Sequence, residues 1–264
     1  MKKILALVLA GLMLFSFAAC GGNTSTDVEE PAANSDLDYI KDKGTLIVGI
    51  TDYAPMDFKD ENGEWTGFDA EFARLAGEKL GVEVEFIEID WDNKFFELDA
   101  KSIDCIWNGM TITTEAKENA SVSNAYVKNA QVVVMKSAML ADYATAGSLE
   151  GLEFAVESGS AGEEAAKENN LTYTAVLTQA DALKEVKSGA ADACVIDITM
   201  ANAMTGEGTS YAELGYSLEL TTEEYGIACR QGSDLTAAIN DIMAQLKADG
   251  SLQGLADKYE LTLA

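Results

Sequence analysis

Short strand-like segments alternate along this chain with segments that have the period of a helix. One series runs from residue 45 to residue 107, and a second runs from residue 153 to residue 197. Such alternation predicts parallel βαβ units, because a helix is the usual crossover between parallel strands. A length of 264 residues suits one large domain or two of ordinary size. The sequence therefore predicts an α/β protein with two lobes of similar build.

The hydrophobic period and the glycines give the expected boundaries of these elements. Gly44, Gly81 and Gly189 each stand where a predicted helix ends, a position that favours the left-handed conformation. A hairpin turn is predicted at 61–64. Helices are predicted at 36–43, 68–80, 92–101, 161–169, 179–189 and 233–259. Strands are predicted at 45–50, 82–89, 103–107, 126–136, 153–157, 172–176, 192–197 and 223–230.

The N-terminus has the order of a secretory signal rather than of a folded element. Lys2 and Lys3 precede an apolar run at 4–19, and no second apolar run of membrane length follows. The run ends in Phe-Ala-Ala-Cys, which resembles a lipobox and predicts acylation of Cys20. Residues 1–19 are then a signal peptide and the polar residues 20–36 a flexible tether. The alternative is an ordinary signal peptide with a chance cysteine. We expect an extracytoplasmic protein, anchored to the cell membrane as a lipoprotein.

The charge and the residue composition exclude several classes of function. A net charge of −27 argues against nucleic acid and anionic lipid as partners, since both attract clustered Lys and Arg. The chain has no histidine, and its cysteine spacing matches no metal site, so neither a metal nor a cofactor is predicted. Cys105, Cys194 and Cys229 lie in apolar runs and are predicted to be buried free thiols. One disulfide bridge between two of them is the alternative that the sequence leaves open.

Four stretches carry a family resemblance, at residues 44–58, 61–86, 104–119 and 223–259. They resemble the amino-acid-binding proteins of ABC importers, which are extracytoplasmic solute-binding proteins of the polar amino acid group. The resemblance implies a two-lobed, periplasmic-binding-protein-like (type II) fold. In that fold each lobe is a mixed sheet flanked by helices, and two crossing strands join the lobes.

The resemblance also implies the domain organisation and the activity. Lobe I would take residues 37–126 and 224–264, lobe II would take 131–219, and the hinge would lie at 127–130 and 220–223. The protein would be a monomer that traps a small solute by closure of the hinge. It would then deliver the solute to the permease and ATPase subunits of an importer.

The same resemblance assigns ligand contacts to residues of both lobes, and no catalytic residue is predicted. The loop at 51–58 follows the first strand at its carboxyl end, where α/β sheets place ligands. Tyr53 and Trp91 match aromatic positions that flank a ligand, and Asp197 matches an acidic anchor for its α-amino group. Glu157 indicates either a changed side-chain pocket or a solvated acidic residue. The remaining assigned residues are Asn108, Gly109, Met110 and Thr111 in the first lobe and Ser160 and Ala161 in the second. Of these, Asn108, Gly109 and Thr111 match residues whose donors hold the α-carboxylate of the ligand.

One departure from the family bears on the ligand. The family has a carboxylate-binding arginine where this chain has Ala116, and the two arginines of the chain lie elsewhere in the sequence. Lys117 is one residue away, and Lys128 is another cation near the first crossing. The expected cleft is therefore acidic and aromatic, and it favours a ligand with an ammonium group. Three alternatives remain open: a dehydratase- or lyase-like enzyme, a sensor that acts without transport, and a relative that binds nothing tightly.

Overall fold

The computed structural model describes residues 35–264, so the predicted signal peptide, Cys20 and most of the tether lie outside the described residues. The first half contains α1 (Asp36–Lys43), β1 (Thr45–Ile50), β2 (Phe58–Lys59), β3 (Trp65–Thr66), α2 (Phe68–Leu80), β4 (Glu83–Glu88), α3 (Lys94–Asp99), β5 (Cys105–Thr111), α4 (Thr114–Asn119), β6 (Ser121–Val122) and β7 (Val127–Asn129). The second half contains β8 (Gln131–Lys136), β9 (Glu153–Glu157), α5 (Ala161–Glu168), β10 (Thr172–Val176), α6 (Gln179–Ser188), β11 (Ala193–Asp197), α7 (Ile198–Met204), β12 (Leu214–Glu219), β13 (Glu223–Cys229), α8 (Leu235–Ala248) and α9 (Ser251–Lys258).

Apart from the β2–β3 hairpin, the strands form two mixed sheets, as the family resemblance implies. In the first sheet the order is β4-β1-β5-β13-β6, and β7 also pairs with β13. Here β4 and β5 run parallel to β1, whereas β13 runs antiparallel to its neighbours. In the second sheet the order is β10-β9-β11-β8-β12. There β10 and β11 run parallel to β9, whereas β8 runs antiparallel to β11 and β12.

The helix α2 shows how local sequence fixes an element. It begins and ends where the period predicts, and Gly81 follows it in the left-handed conformation with φ at 77°. Its buried face includes Phe68 and Phe72. Phe72 meets Trp107 of β5 edge to face, with 4.7 Å between the ring centroids. Burial of such rings contributes on the order of 2–3 kcal/mol each, so α2 is held on the first sheet mainly by its aromatic face.

Several boundaries differ from the prediction because tertiary contacts override local pattern. The predicted helix at 92–101 is a short turn at Trp91–Asn93 followed by α3. The predicted strand at 103–107 extends to Thr111 as β5, because β13 pairs along it. The predicted run at 126–136 divides at residue 130 into β7 in one sheet and β8 in the other. The C-terminal helical stretch breaks at Gly250, and neither α7 nor β12 was predicted.

Both arginines of the chain bind groups of the protein away from the expected cleft. Arg230 follows β13 and binds Asp36 at 2.9 Å and Asp104 at 3.1 Å, and its side chain is buried. Arg74 of α2 donates to the carbonyl oxygen of Trp65 at 2.6 Å. These positions are consistent with a structural role for each guanidinium.

The three cysteines in the described residues are buried and free, as the sequence predicts. Cys105 and Cys229 lie opposite each other on β5 and β13. Burial raises the pKa of each thiol, that of Cys229 to about 12. A thiol with such a pKa stays protonated and unreactive near neutral pH.

Candidate ligand-binding site

Ten residues from segments of both sheets line one small cavity. The cavity has a volume of about 20 Å³, close to what a single water molecule needs. The walls therefore lie close together, in a closed arrangement. The lining residues are Tyr53, Trp91, Asn108, Gly109, Thr111, Glu157, Ser160, Ala161, Gln179 and Asp197. Nine of the ten predicted ligand-binding residues are thus brought together, and their role in binding stays a prediction.

Met110 is the predicted residue that does not line the cavity. The pairing of β5 with β13 shifts register between Gly226 and Ala228, and Gly109 opposite this bulge has φ at 55°. Met110 packs with Ile106 in a buried apolar cluster instead.

The polar groups that β5 contributes to the cavity wall are already bonded within the protein. Asn108 donates through Nδ2 to Asp57 Oδ2 at 2.7 Å and accepts from the Thr51 hydroxyl at 2.7 Å. The Gly109 N–H donates to Asp69 Oδ2 at 2.6 Å. The Thr111 hydroxyl donates to Glu223 Oε1 at 3.1 Å. The sequence interpretation expected the donors of this stretch to face a ligand carboxylate, whereas in this closed arrangement they bind the protein's own carboxyl groups.

Tyr53 is fixed by contacts on two sides. A Cβ at Gly109 would lie 2.5 Å from Tyr53 Cε1, so the ring packs directly on the glycine backbone. The Tyr53 hydroxyl bonds to the hydroxyls of Thr199 in α7 and of Tyr225 in β13. Tyr53 belongs to the loop after β1, and Thr199 follows the second sheet's β11, so this hydroxyl joins the two sides of the cavity.

Trp91 is the second aromatic residue in the lining, and Ser160 and Ala161 at the start of α5 also line the cavity. The Trp91 side chain is almost completely buried, and the ammonium of Lys94 lies 5.0 Å from the centroid of its ring. The hydroxyl of Ser160 accepts from the Glu163 N–H at 3.1 Å and so caps α5. Trp91 therefore already contacts a cation of the protein on one side.

Asp197 is a buried carboxylate at the end of β11. Its Oδ1 accepts from Asn129 and from Gln131 Nε2, the latter at 2.8 Å, and its Oδ2 accepts from Gln179 Nε2. Burial raises the pKa of Asp197, and these amide donors partly oppose the rise. The carboxylate is consequently held in a fixed orientation by neutral groups, with no cation bonded to it in the described residues.

Glu157, at the end of β9, is buried beside Asp197, which excludes the alternative of a solvated acidic residue. Only 3% of the Glu157 residue surface is exposed, and its Oε1 atom has no hydrogen-bond partner. Burial and then the charge of Asp197 raise its pKa to about 8, against the opposing effect of Lys94. An unpaired, buried carboxyl oxygen is costly, so this wall of the cavity favours a donor or a cation.

A third carboxyl group, which the sequence interpretation did not consider, adjoins this pair. Glu223 begins β13, and its Oε1 accepts from Asn129 at 2.7 Å and from Gln131 at 2.5 Å. Burial and the charge of Asp197 raise the pKa of Glu223 to about 7. Asp197 and Glu223 therefore share two amide donors. The region contains one carboxyl group more than the two that the sequence interpretation assigned to it.

The cations considered from the sequence do not line the cavity. Lys117 is exposed on α4, and Lys128 is exposed on β7 beside a different groove.

The sequence interpretation missed Lys94, which is buried next to Trp91, and Gln179, which lines the cavity from the first residue of α6. Gln179 follows β10 at the carboxyl end of a parallel strand, and that position was a usable signal. Nothing local in the sequence distinguishes Lys94 from a solvated lysine.

The chain matches known proteins over most of its length. The profile of the "Bacterial extracellular solute-binding proteins, family 3" matches residues 46–262. The L-cystine-binding protein TcyJ of Escherichia coli (strain K12) is 31% identical over 228 residues, which are 84% of this chain and 85% of that protein. The arginine-binding extracellular protein ArtP of Bacillus subtilis (strain 168) is 30% identical over 268 residues, 98% of each chain.

Solved structures agree with these sequence relatives. The crystal structure of the ancestral amino acid-binding protein AncCDT-1, a precursor of cyclohexadienyl dehydratase, superposes with a TM-score of 0.78 at 34% identity. The match covers 85% of this chain and 99% of that one. The two-lobed type II fold expected from the sequence is thereby confirmed. Within residues 35–264, no helix combines the length and the apolar character needed to cross a bilayer. The profile, the relatives and the fold agree: the chain belongs to the bacterial extracellular solute-binding proteins of family 3.

Proposed function

We propose that the protein captures an amino acid or a related amine-bearing solute outside the cytoplasm and delivers it to an ABC importer. The observation that carries the proposal is the convergence of Tyr53, Trp91 and Asp197 on one cavity, with residues of both sheets in its wall. Proteins at about 30% identity over 84–98% of this chain are named for binding L-cystine and arginine. The solute would enter when the walls separate, because the closed cavity holds only about 20 Å³.

The charge of the cavity wall supports a cationic or zwitterionic ligand. Asp197 offers a buried carboxylate to an ammonium group, and Glu157 offers a second carboxyl group with an unpaired oxygen. A charge-assisted hydrogen bond is worth about 1.5–3 kcal/mol, so two such contacts favour a ligand with more than one donor. The donors of β5 already bind protein carboxyl groups, which leaves the start of α5 as the candidate partner of a ligand carboxylate.

The proposal includes the domain organisation that the family resemblance implies. Lobes at 37–126 with 224–264 and at 131–219 would rotate about hinges at 127–130 and 220–223. A signal peptide at 1–19 and acylation of Cys20 would tether the protein to the membrane, where it would meet the permease. Binding without turnover of the ligand completes the proposal. Recovery of the bound solute unchanged, by mass spectrometry, would test that last point.

A thermal-shift screen of the purified full-length protein in mild detergent tests the ligand class. The panel would hold arginine, cystine, histidine, glutamine, putrescine, glutamate and aspartate. We expect stabilisation by cationic or zwitterionic members, because a ligand that binds only the folded state raises the melting temperature. Titration calorimetry of each active compound then gives its affinity. Strong stabilisation by glutamate or aspartate, with none by the other compounds, would overturn the proposed ligand class.

A further inference from the structure

Lys94 makes a charged contact between the two walls of the cavity. It is the first residue of α3 and is buried, with 6% of its surface exposed. Its Nζ donates to the carbonyl oxygen of Gly159 at 2.8 Å and to that of Trp91 at 3.2 Å. Trp91 follows β4 of the first sheet, whereas Gly159 lies in the turn between β9 of the second sheet and α5. One ammonium group therefore joins both sides next to the residues that line the cavity.

The two segments also touch through their backbones. Gly159 has φ at 69°, and a Cβ added there would lie 2.7 Å from Asp92 Oδ1 and 2.9 Å from Asp92 Cα. No side chain fits between the turn and the segment that carries Trp91. The bond from Lys94 consequently lies at a direct backbone contact, and any separation of the walls at this point must break it.

The surroundings of the Lys94 ammonium indicate that its bond to Gly159 forms only when the two walls of the cavity are in contact. Burial lowers the pKa of Lys94, while the charges of Glu115, Glu157, Asp92 and Glu163 oppose this effect. In the described residues Lys94 has carbonyl oxygens as its hydrogen-bond acceptors, with no carboxylate within ion-pair distance. When the walls separate, water can replace the Gly159 carbonyl oxygen as the acceptor. The contact therefore stabilises the closed arrangement and is not needed for the folding of either side.

We propose that Lys94 is a positioning residue that fastens the closed arrangement, acting through the Gly159–Ser160 turn and Trp91, and that it slows the release of a bound solute. This role rests on the proposed function, since release has meaning only if the cavity takes a ligand. The fastening itself does not depend on a ligand. It predicts a closed population in the ligand-free protein that decreases when the ammonium is removed.

Distance measurements on the full-length, ligand-free protein in detergent test the fastening directly. Spin labels at Asp99→Cys and Glu168→Cys would report the separation of α3 from α5, because both positions are exposed. Cys20→Ser removes the cysteine that precedes the described residues, and the three cysteines within them are buried. We expect Lys94→Met to move the distance distribution to longer values and Lys94→Arg to restore part of the short component. The control Lys117→Met changes an exposed lysine on α4 and should leave the distribution unchanged.

A second perturbation acts from the opposite wall, which keeps the test valid if Lys94→Met folds poorly. Gly159→Ala places a Cβ against Asp92, and it should also lengthen the distance.

With L-arginine as the probe, stopped-flow fluorescence should show dissociation from Lys94→Met about tenfold faster, with association changed by less than about threefold. A distance distribution in Lys94→Met identical to that of Lys117→Met would overturn the inference. Failure of the wild type to bind any compound of the panel, with the distance shift intact, would overturn the proposed function and leave the fastening supported.

Discussion

Replacement of Glu157 by glutamine is expected to stabilise the protein at neutral pH. The carboxyl group is buried at the cavity wall with one oxygen unpaired, and burial raises its pKa from an ordinary value of 4.5 to about 8. The folded protein therefore binds the proton more tightly than the unfolded chain does. The stability that Glu157 contributes is fully present below pH 4.5 and is lost as the pH rises towards 8. Glutamine has nearly the shape of the protonated acid and does not titrate.

The size of the effect follows from the difference between the two pKa values. At pH 7 the unfolded glutamate is almost fully ionised, whereas the folded one is mostly protonated. Linkage then places the loss of stability near 3 kcal/mol at pH 7 and below about 1 kcal/mol at pH 5. Glu157→Gln should recover this loss. Its free energy of unfolding should thus exceed that of the wild type by about 3 kcal/mol at pH 7, and by much less at pH 5.

Urea denaturation of both proteins at pH 5 and pH 7, without ligand, measures this difference. Glu164→Gln is the matched control, because Glu164 is exposed on α5 and the same change there should have little effect at either pH. Affinity for a cationic ligand should change in the opposite direction and fall about tenfold, because a bound cation favours ionisation of Glu157 and glutamine cannot ionise. An equal effect of Glu157→Gln at both pH values, or a loss of stability at pH 7, would refute the reasoning from burial.

Three further predictions follow from contacts described above. Asp197→Asn should weaken binding of amine ligands about 100-fold by calorimetry; an affinity within threefold of the wild type would show that the amine lies elsewhere. Arg230→Met should lower the free energy of unfolding by about 3–5 kcal/mol, because it removes the buried guanidinium from Asp36 and leaves Asp104 with Lys43 alone; a loss below about 1 kcal/mol would contradict this. Gly109→Ala should lower it by about 1–3 kcal/mol, because φ is 55° and the new methyl group meets Tyr53; an unchanged melting temperature would show that the loop adapts.

Elements whose signals are local could be predicted closely from the sequence. The helix α2 begins at Phe68 and ends at Leu80 as predicted, because its apolar period and Gly81 act within a few residues. The strand β5 was predicted too short, because its last four residues are extended by pairing with β13. That pairing joins residues more than 100 positions apart, and no local pattern reports it. The division of 126–136 between two sheets has the same cause.

The convergence of the site was predictable, whereas its hydrogen bonding was not. Tyr53 follows β1 and Asp197 ends β11, so both lie at the carboxyl end of a strand. The family resemblance places them at a common cleft, and the structure brings them together. The burial of Glu157 depends on walls supplied by other segments, so the sequence left it open as a surface residue. The engagement of the Gly109 N–H by Asp69 likewise depends on α2 lying behind β5. The sequence and its family resemblance predict which residues come together at the site. They do not predict which hydrogen-bond donors are already bound to groups of the protein.

The two amide groups that hold Asp197 Oδ1 have different origins. Asn129 belongs to β7 of the first sheet, and Gln131 belongs to β8 of the second, with a single residue between them. A displacement of one sheet against the other must alter at least one of these bonds. Under the proposed function, the same displacement would admit the solute, and the hydrogen bonding of the Asp197 carboxylate would differ between the open and the closed arrangement. Binding and release of an amine at Asp197 would then depend on pH, through two residues that lie on either side of the crossing between the sheets.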